Sequence, residues 1–268
     1  MTVSEKKPRM TRPPAVAGFF YPADTDELRL MVGQLMEHIQ SQSETPKAII
    51  APHAGYIYSG PTAAIAYSSL QPLRAKINRV ILLGPAHRVY LRGLALSSAT
   101  HFACPLGDIE IDQSAINQIK DLPQVSISDI AHQQEHSLEV HLPFLQYLLD
   151  KFLLVPLVVG DTSPEEVAEV LDILWGGEET AIVISSDLSH YHDYDSARQI
   201  DAATSRAIEN LQLEKIGPNQ ACGCMPIRGL LQIARIKNLS VHTLDLRNSG
   251  DTAGTRDRVV GYGAYSVS

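Results

Sequence analysis

The sequence predicts a single α/β domain with a mainly parallel central sheet and helices on both faces, and three observations lead there. Short β-branched or leucine-rich runs alternate along the chain with segments of helical periodicity. The middle runs are apolar at consecutive positions, as strands covered on both faces must be. No repeat, low-complexity tract or convincing linker divides the 268 residues, and a composition of 44% hydrophobic and 19% charged residues suits one sizeable core.

The elements follow in order. Residues 1–14, polar and proline-bearing, read as a mobile arm, and residues 15–268 as the domain, entered through the apolar segment "AVAGFFYPAD". From Asp24 or Thr25, both plausible caps, the apolar positions Leu28, Met31, Val32, Leu35, Met36 and Ile39 keep helical spacing to about Ser41. Strands are expected at 47–51, 79–84, 94–98, 152–160, 180–186, 240–246 and 259–267. Helices are expected within 60–70, 114–122, 164–175, 196–211 and 226–238. The last strand, "VVGYGAYSV", reads as an edge able to pair with another subunit or to be covered.

Composition excludes several classes. With 22 Lys and Arg against 30 Asp and Glu, the formal charge is -8 and no basic cluster offers a face for nucleic acid. Cys104, Cys222 and Cys224 make no secreted disulfide framework, and a reducing cytoplasm fits best. The first residues lack the apolar core of a signal peptide, and no run approaches membrane-spanning length, so no membrane is expected as a partner.

Chemistry gathers at strand ends. "AIIAPHAGY" ends in His53, "VILLGPAH" in His87, and "AIVISSDLSHYH" in Asp187, His190 and His192. In open α/β sheets the crevice beyond the carboxyl ends of the strands receives ligands. Two adjacent parallel strands would place His53 and His87 within metal-binding distance, with Pro52 stiffening the approach and Gly55 turning the chain away. The competing reading of each histidine is a loop residue that satisfies a backbone carbonyl. Asp187 suits a metal ligand, an orienter of an imidazole, or a cap for the helix near Asp195, where Asp193 or Asp195 fits better.

"HQQEHSLEVHLPFLQYLL" carries His132, Glu135, His136, Glu139 and His141 and departs from the HExxH zinc signature. Pro143 suits the start of a helix near Leu142, leaving 135–141 as an irregular turn; a solvated face and a site role remain equally open for its polar residues. In "NQACGCMPIRG" a thiol just ahead of a helix would ionise more readily at the positive end of the dipole. Cys104 and Cys224 read as small buried hydrophobes.

The motifs "APHAGYIYSG", "LGPAHR", "EHSLEVHLPFL", "SSDLSHY" and "ACGCMPI" resemble, in this order, those of the Memo family, known in animals as a mediator of receptor-driven cell motility. The likeness runs from about Ala15 to the C-terminus. That family is similar in fold to class III extradiol ring-cleaving dioxygenases, which hold non-haem iron by two histidines and a carboxylate. The resemblance implies that His53 and His87 are the two metal-ligating histidines, that Cys222 takes the carboxylate's place, and that Asp187 and His190 are the remaining polar pocket residues. It also implies a pathway link to radical-SAM proteins. Where the animal protein has Arg-His after Cys-Gly, this chain has Cys224 and Met225, a softer and less basic rim.

Two imidazoles and a thiolate suit a divalent metal, Fe(II) first, then Cu or Zn. In an oxygenase-type or redox enzyme of unknown substrate, His190 would shuttle a proton and Asp187 would fix its tautomer. A thiolate beside a redox metal invites its own oxidation, which favours the alternative: a non-catalytic metal- or peptide-binding protein whose former active-site crevice receives a small-molecule or peptide ligand. Tyr56, Tyr58 and Tyr191 belong to the presumed rim in either case. Hydrolysis at zinc lacks a dedicated carboxylate base, Glu135 and Glu139 excepted.

Overall fold

A computed structural model describes residues 9–37, 39 and 45–268. In chain order its first elements are β1 (Thr11–Arg12), α1 (Thr25–Met36), β2 (Ala48–Ala51), α2 (Tyr56–Ser68), β3 (Arg79–Pro85), β4 (Leu94–Leu96), β5 (His101–Phe102) and β6 (Ile109–Glu110). There follow α3 (Gln113–Ile119), β7 (Val125–Ile127), α4 (Asp129–Gln133), α5 (Leu142–Leu148), β8 (Leu153–Val159) and α6 (Pro164–Ile173). The chain closes with β9 (Thr180–Ser185), β10 (His190–His192), α7 (Tyr194–Glu209), α8 (Cys224–Lys237), β11 (Val241–Asn248) and β12 (Val259–Val267). All seven expected strands form, within a residue or two at each end. The helix expected to reach Ser41 stops at Met36, and positions 40–44 lie outside the described residues.

The main sheet runs β10-β12-β2-β9-β3-β8-β4-β7, with β11 also paired to β12, and β1, β5 and β6 form a small second sheet. Its centre is parallel, β2 to β9 to β3 to β8. Antiparallel pairs flank this centre, where β12 meets β2, β10 and β11 and where β4 meets β8, and β4 pairs in parallel with β7 at the far edge. The expected α/β sheet thus has a parallel centre but is mixed rather than purely parallel, because β11 returns into β12 through a short connection that allows only antiparallel pairing. Nor is β12 an edge, since β2 lies on one side of it and β11 on the other.

Every residue of β2 and β9 is buried, so alternate side chains on both faces are covered. The helix α8 lies against β3 and β9 with α6 behind it, while α2 lies against β2, β11 and β12 and packs with α1 and α5. One continuous apolar core joins these layers. Asp24 caps α1, Ser163 and Glu166 form a reciprocal capping box on α6, and Asp193 caps α7, leaving Asp187 free of that duty.

The arm expected over residues 1–14 does not extend through Thr11 and Arg12. Residues 1–8 lie outside the described residues, but Thr11–Arg12 pairs with β5, and Arg12 is buried in the fold. Its Nη1 donates to Glu139 Oε2 at 2.8 Å, its Nε to the His132 carbonyl at 2.8 Å and its Nη2 to the Glu135 carbonyl at 2.6 Å. Glu139 also accepts the Ala15 and Val16 amides and the Tyr21 hydroxyl. A charged pair this dry holds only because each hydrogen-bonding position is matched. The N-terminal segment is thereby clamped to the segment that carries His132 to His141.

Arg12→Met, which strands the Glu139 charge, should cost about 3–5 kcal/mol in denaturant unfolding. Arg12→Lys should recover only part of that loss, because an ammonium cannot reproduce the fork of bonds.

His132 and His141, buried rather than solvated, give the fold an acid limit. Burial pushes His132 down to about 4, partly offset by its bond to the Ala95 carbonyl, and pushes His141, which meets the Tyr67 hydroxyl, down to about 3. The unfolded chain takes up these protons below about pH 6.5 while the fold refuses them, so stability should fall as pH drops from about 6.5 toward 3. Unfolding midpoints of metal-free protein across that range should decline, and more gently in His141→Gln.

Candidate metal centre

Three strand ends supply the site. β2 runs into Pro52 and His53, β3 into His87, and β9 into Ser186 and Asp187. The two histidine-bearing strands, expected to be neighbours, are separated by β9, so their axes stand about 10 Å apart at ordinary strand spacing. Their loops lean inward over β9 and bring the ring centroids of His53 and His87 to 5.1 Å.

Each imidazole is preset by its neighbours. The His53 amide donates to Asp187 Oδ1 at 2.7 Å, and its Nδ1 lies 2.6 Å from the Ser185 hydroxyl. That hydroxyl gives its one proton to the Ser137 carbonyl at 2.5 Å, so it accepts from Nδ1–H and leaves Nε2 of His53 with a free lone pair. The His87 amide and Nδ1–H donate to the two oxygens of Glu135 at 2.6 and 2.9 Å, which leaves its Nε2 free in the same way. Burial disfavours the Glu135 charge, but hydrogen bonds from His87 and from the amides of His87 and Ser137 outweigh it and hold the carboxyl down at about 2.

His136 completes the group. Its ring is stacked between Phe20, at 4.8 Å and 6°, and His87, at 4.9 Å and 19°. Its buried Nδ1 has no hydrogen-bond partner among the described residues and lies 3.4 Å from Glu135 Oε1. One ring nitrogen from each of His53, His87 and His136 falls within 4.8 Å of the others, a group that can hold a metal ion. Burial, reinforced by the neighbouring imidazoles, keeps His53 well below the usual histidine range, and burial brings His136 to about 4. Both are neutral at pH 7, as nitrogen ligands must be.

Cys222 Sγ stands 3.3 Å from His53 Nε2 and accepts the Asp187 amide at 3.3 Å. The loop before α8 is pressed onto the end of β9: the Cys222 amide donates to the Asp187 carbonyl, and a Cβ on Gly223 would meet the Ser185 carbonyl at 2.5 Å. The easy ionisation expected from the helix dipole does not hold. Burial, and then the Asp187 charge, push the thiol up, so in the metal-free protein it is a neutral S–H beside His53.

Asp187 Oδ2 lies 4.0 Å from His53 Nε2, and burial raises this carboxyl to about 6 against the opposing pull of His190. His190 donates Nδ1–H to the Leu188 carbonyl at 2.8 Å, leaving its Nε2 as an acceptor. His53, His87, His136, Asp187, His190 and Cys222 all line one cavity of about 880 Å³. Tyr191 and His192 also reach it. Tyr56 does not: it is buried, with its hydroxyl on the Val140 carbonyl and its ring 4.9 Å from Phe144, because α2 begins at Tyr56 and turns it into the core. Tyr58 is half-buried and lies outside the cavity lining. Glu139 and His141 are buried away from it.

Sequence spacing left His136 and Glu135 unassigned, since no period relates them to a strand end. The signal present was a Glu-His pair in a stretch that Pro143 keeps from being helical.

Because Glu135 fixes the His87 tautomer, Glu135→Gln should weaken binding of an added divalent ion by about 10- to 100-fold and also lower the unfolding midpoint, since an amide cannot accept all four N–H bonds that the buried carboxylate takes. Titration against a chromophoric chelator measures it.

The Memo-like protein family model matches residues 12–266. A MEMO1 family protein of Aquifex aeolicus is 36% identical over 262 residues, covering 94% of this chain and 97% of the relative. A second, from Methanosarcina barkeri, is 35% identical over 269 residues, covering 96% and 99%. A third, from Metallosphaera sedula, is 33% identical over 282 residues, covering 97% and 100%.

Proposed function

The chain belongs to the Memo-like family, and we propose that it is a metalloprotein whose pocket holds one divalent transition-metal ion through His53, His87 and Cys222, with His136 as the competing third donor. The observation that carries this reading is the pair of preset tautomers: Ser185 and Glu135 each occupy Nδ1 and so leave Nε2 unprotonated on two rings whose centroids lie 5.1 Å apart. Such outer partners are the usual companions of metal-ligating imidazoles. A mixed nitrogen and sulfur set suits Fe(II) first, with Cu or Zn as the other fits. Cys222 would then give up its proton on binding, since a coordinated thiol is deprotonated outright.

When bound, such an ion supplies Lewis-acid chemistry and, for iron or copper, one-electron chemistry. The chain's own residues handle protons beside it. His190 offers an acceptor nitrogen to the cavity, and Asp187, whose carboxyl burial raises in the metal-free protein, is the one acidic residue that lines it. These groups support a redox or oxygenase-type enzyme of unknown substrate, on a fold of the extradiol dioxygenase kind. One observation favours a non-catalytic binding protein instead: the Cys222 thiol, 3.3 Å from a ligand histidine, stands exposed to oxidation by an oxygen-activating centre. Three free thiols fit a cytoplasmic setting, and among the described residues no helix is long and apolar enough to cross a membrane.

Metal analysis of protein purified without chelator should show one ion per chain, absent from His53→Ala and His87→Ala and weakly held in Cys222→Ser. Full occupancy in both His53→Ala and Cys222→Ser would remove the ligand assignment, and loss in His136→Ala alone would replace Cys222 with His136. Oxygen uptake by anaerobically Fe(II)-loaded protein with a catechol panel separates the two readings, a flat trace throughout favouring the binding protein.

A further inference from the structure

The cavity beside the three histidines is larger than one ion needs, and its 880 Å³ or so lies in the range of small-molecule sites. Besides the histidines, its walls carry one acidic and one basic residue, Asp187 and Arg88. Asp187 is the one acidic residue among those that line it, and one of its oxygens is committed to the His53 amide. Arg88 also lines it, on the residue after His87. The His87 amide and ring are both pinned to Glu135, so the Arg88 side chain leaves the backbone from a fixed point.

Arg12, Arg79 and Arg247 each meet a carboxylate. Arg88 meets no carboxylate or carbonyl among the described residues, although it is near enough to act on the His136 ring. Across the cavity, Asn219 and Gln220 present amides, and the Gln220 oxygen is taken by the Gly217 amide, which leaves its NH₂ donors for the cavity. Arg258 sits 5.0 Å from the Tyr191 ring centre. Tyr191 itself has φ 63°, a left-handed conformation costly for a bulky residue and held where it faces the cavity.

The pocket thus sets a guanidinium that meets no carboxylate among the described residues beside amide donors, while one oxygen of its single carboxylate is engaged, in a chain of formal charge -8. The geometry points to Arg88 as the docking group for an oxyanion, a carboxylate or a phosphate, on the small ligand that shares this cavity with the metal. This rests on the metalloprotein reading for its metal but not for its anion. Guanidinium matches both oxyanions by paired N–H bonds, which an ammonium does not.

Calorimetric titration of the full chain, with metal content measured in parallel, tests the assignment using succinate, inorganic phosphate and neutral succinamide as probes. Wild-type protein should bind one of the anions and not succinamide. Arg88→Gln should weaken that binding about tenfold or more, Arg88→Lys should fall between the two, and Arg206→Gln, remote from the cavity, should match wild type. Preference for succinate assigns a carboxylate ligand, and preference for phosphate a phosphorylated one. Binding of succinamide as tight as succinate, wild-type affinity in Arg88→Gln, or no binding of any probe would each overturn the proposal. Metal content should be the same in all Arg88 variants; a wild-type chain that holds no metal yet binds an anion through Arg88 would sink the metalloprotein reading alone.

Discussion

The site depends on the last residues of β9. Ser185 gives its proton to the Ser137 carbonyl and takes one from His53, Asp187 receives the His53 amide, and the Asp187 backbone carries both the Cys222 amide and its sulfur. Three segments remote in sequence are therefore positioned by a few polar atoms at one strand end. Because β9 is buried on both faces and paired on both edges, those atoms have little freedom to move. What they fix is the direction of lone pairs, which is what a metal ion reads.

A second layer supports the first. The segment from His132 to His141 contributes His136 to the cavity and Glu135 behind His87, and it is anchored by Arg12 through two of its carbonyls and through Glu139. The same N-terminal stretch continues into Phe20, whose ring lies flat on His136. The cavity thus has one wall from the chain's first residues and another from the loop before α8. His53, His136 and the Cys222 thiol are neutral in the metal-free state, so none of these three sets a positive charge against an arriving cation.

Much of this was legible in the sequence, for a physical reason. A buried strand is a continuous apolar run, so a polar residue at its end stands out, and His53, His87, Asp187 and His190 were visible on that ground. Cys222 was visible as a ligand candidate only through the family resemblance, and its burial, which keeps it protonated, was not visible at all. Glu135 and His136 sit in a stretch without period, where local pattern carries no information about what it faces. Strand order was equally hidden: the residues of β9 pair with partners in β2 and β3 that lie more than a hundred positions earlier in the chain. The supposed arm misled because Arg12 finds its partners far along the chain, at Glu135 and Glu139. An isolated arginine among prolines looks solvated until its carboxylate is known.

The insertion of β9 between β2 and β3 has a consequence for biosynthesis. A growing chain that has displayed both histidines still lacks the strand on which they converge, and the first half of the polypeptide has no completed nest for a cation. Any ion the pocket takes could therefore enter only once that late strand has threaded into place, which would make its capture a late event in maturation.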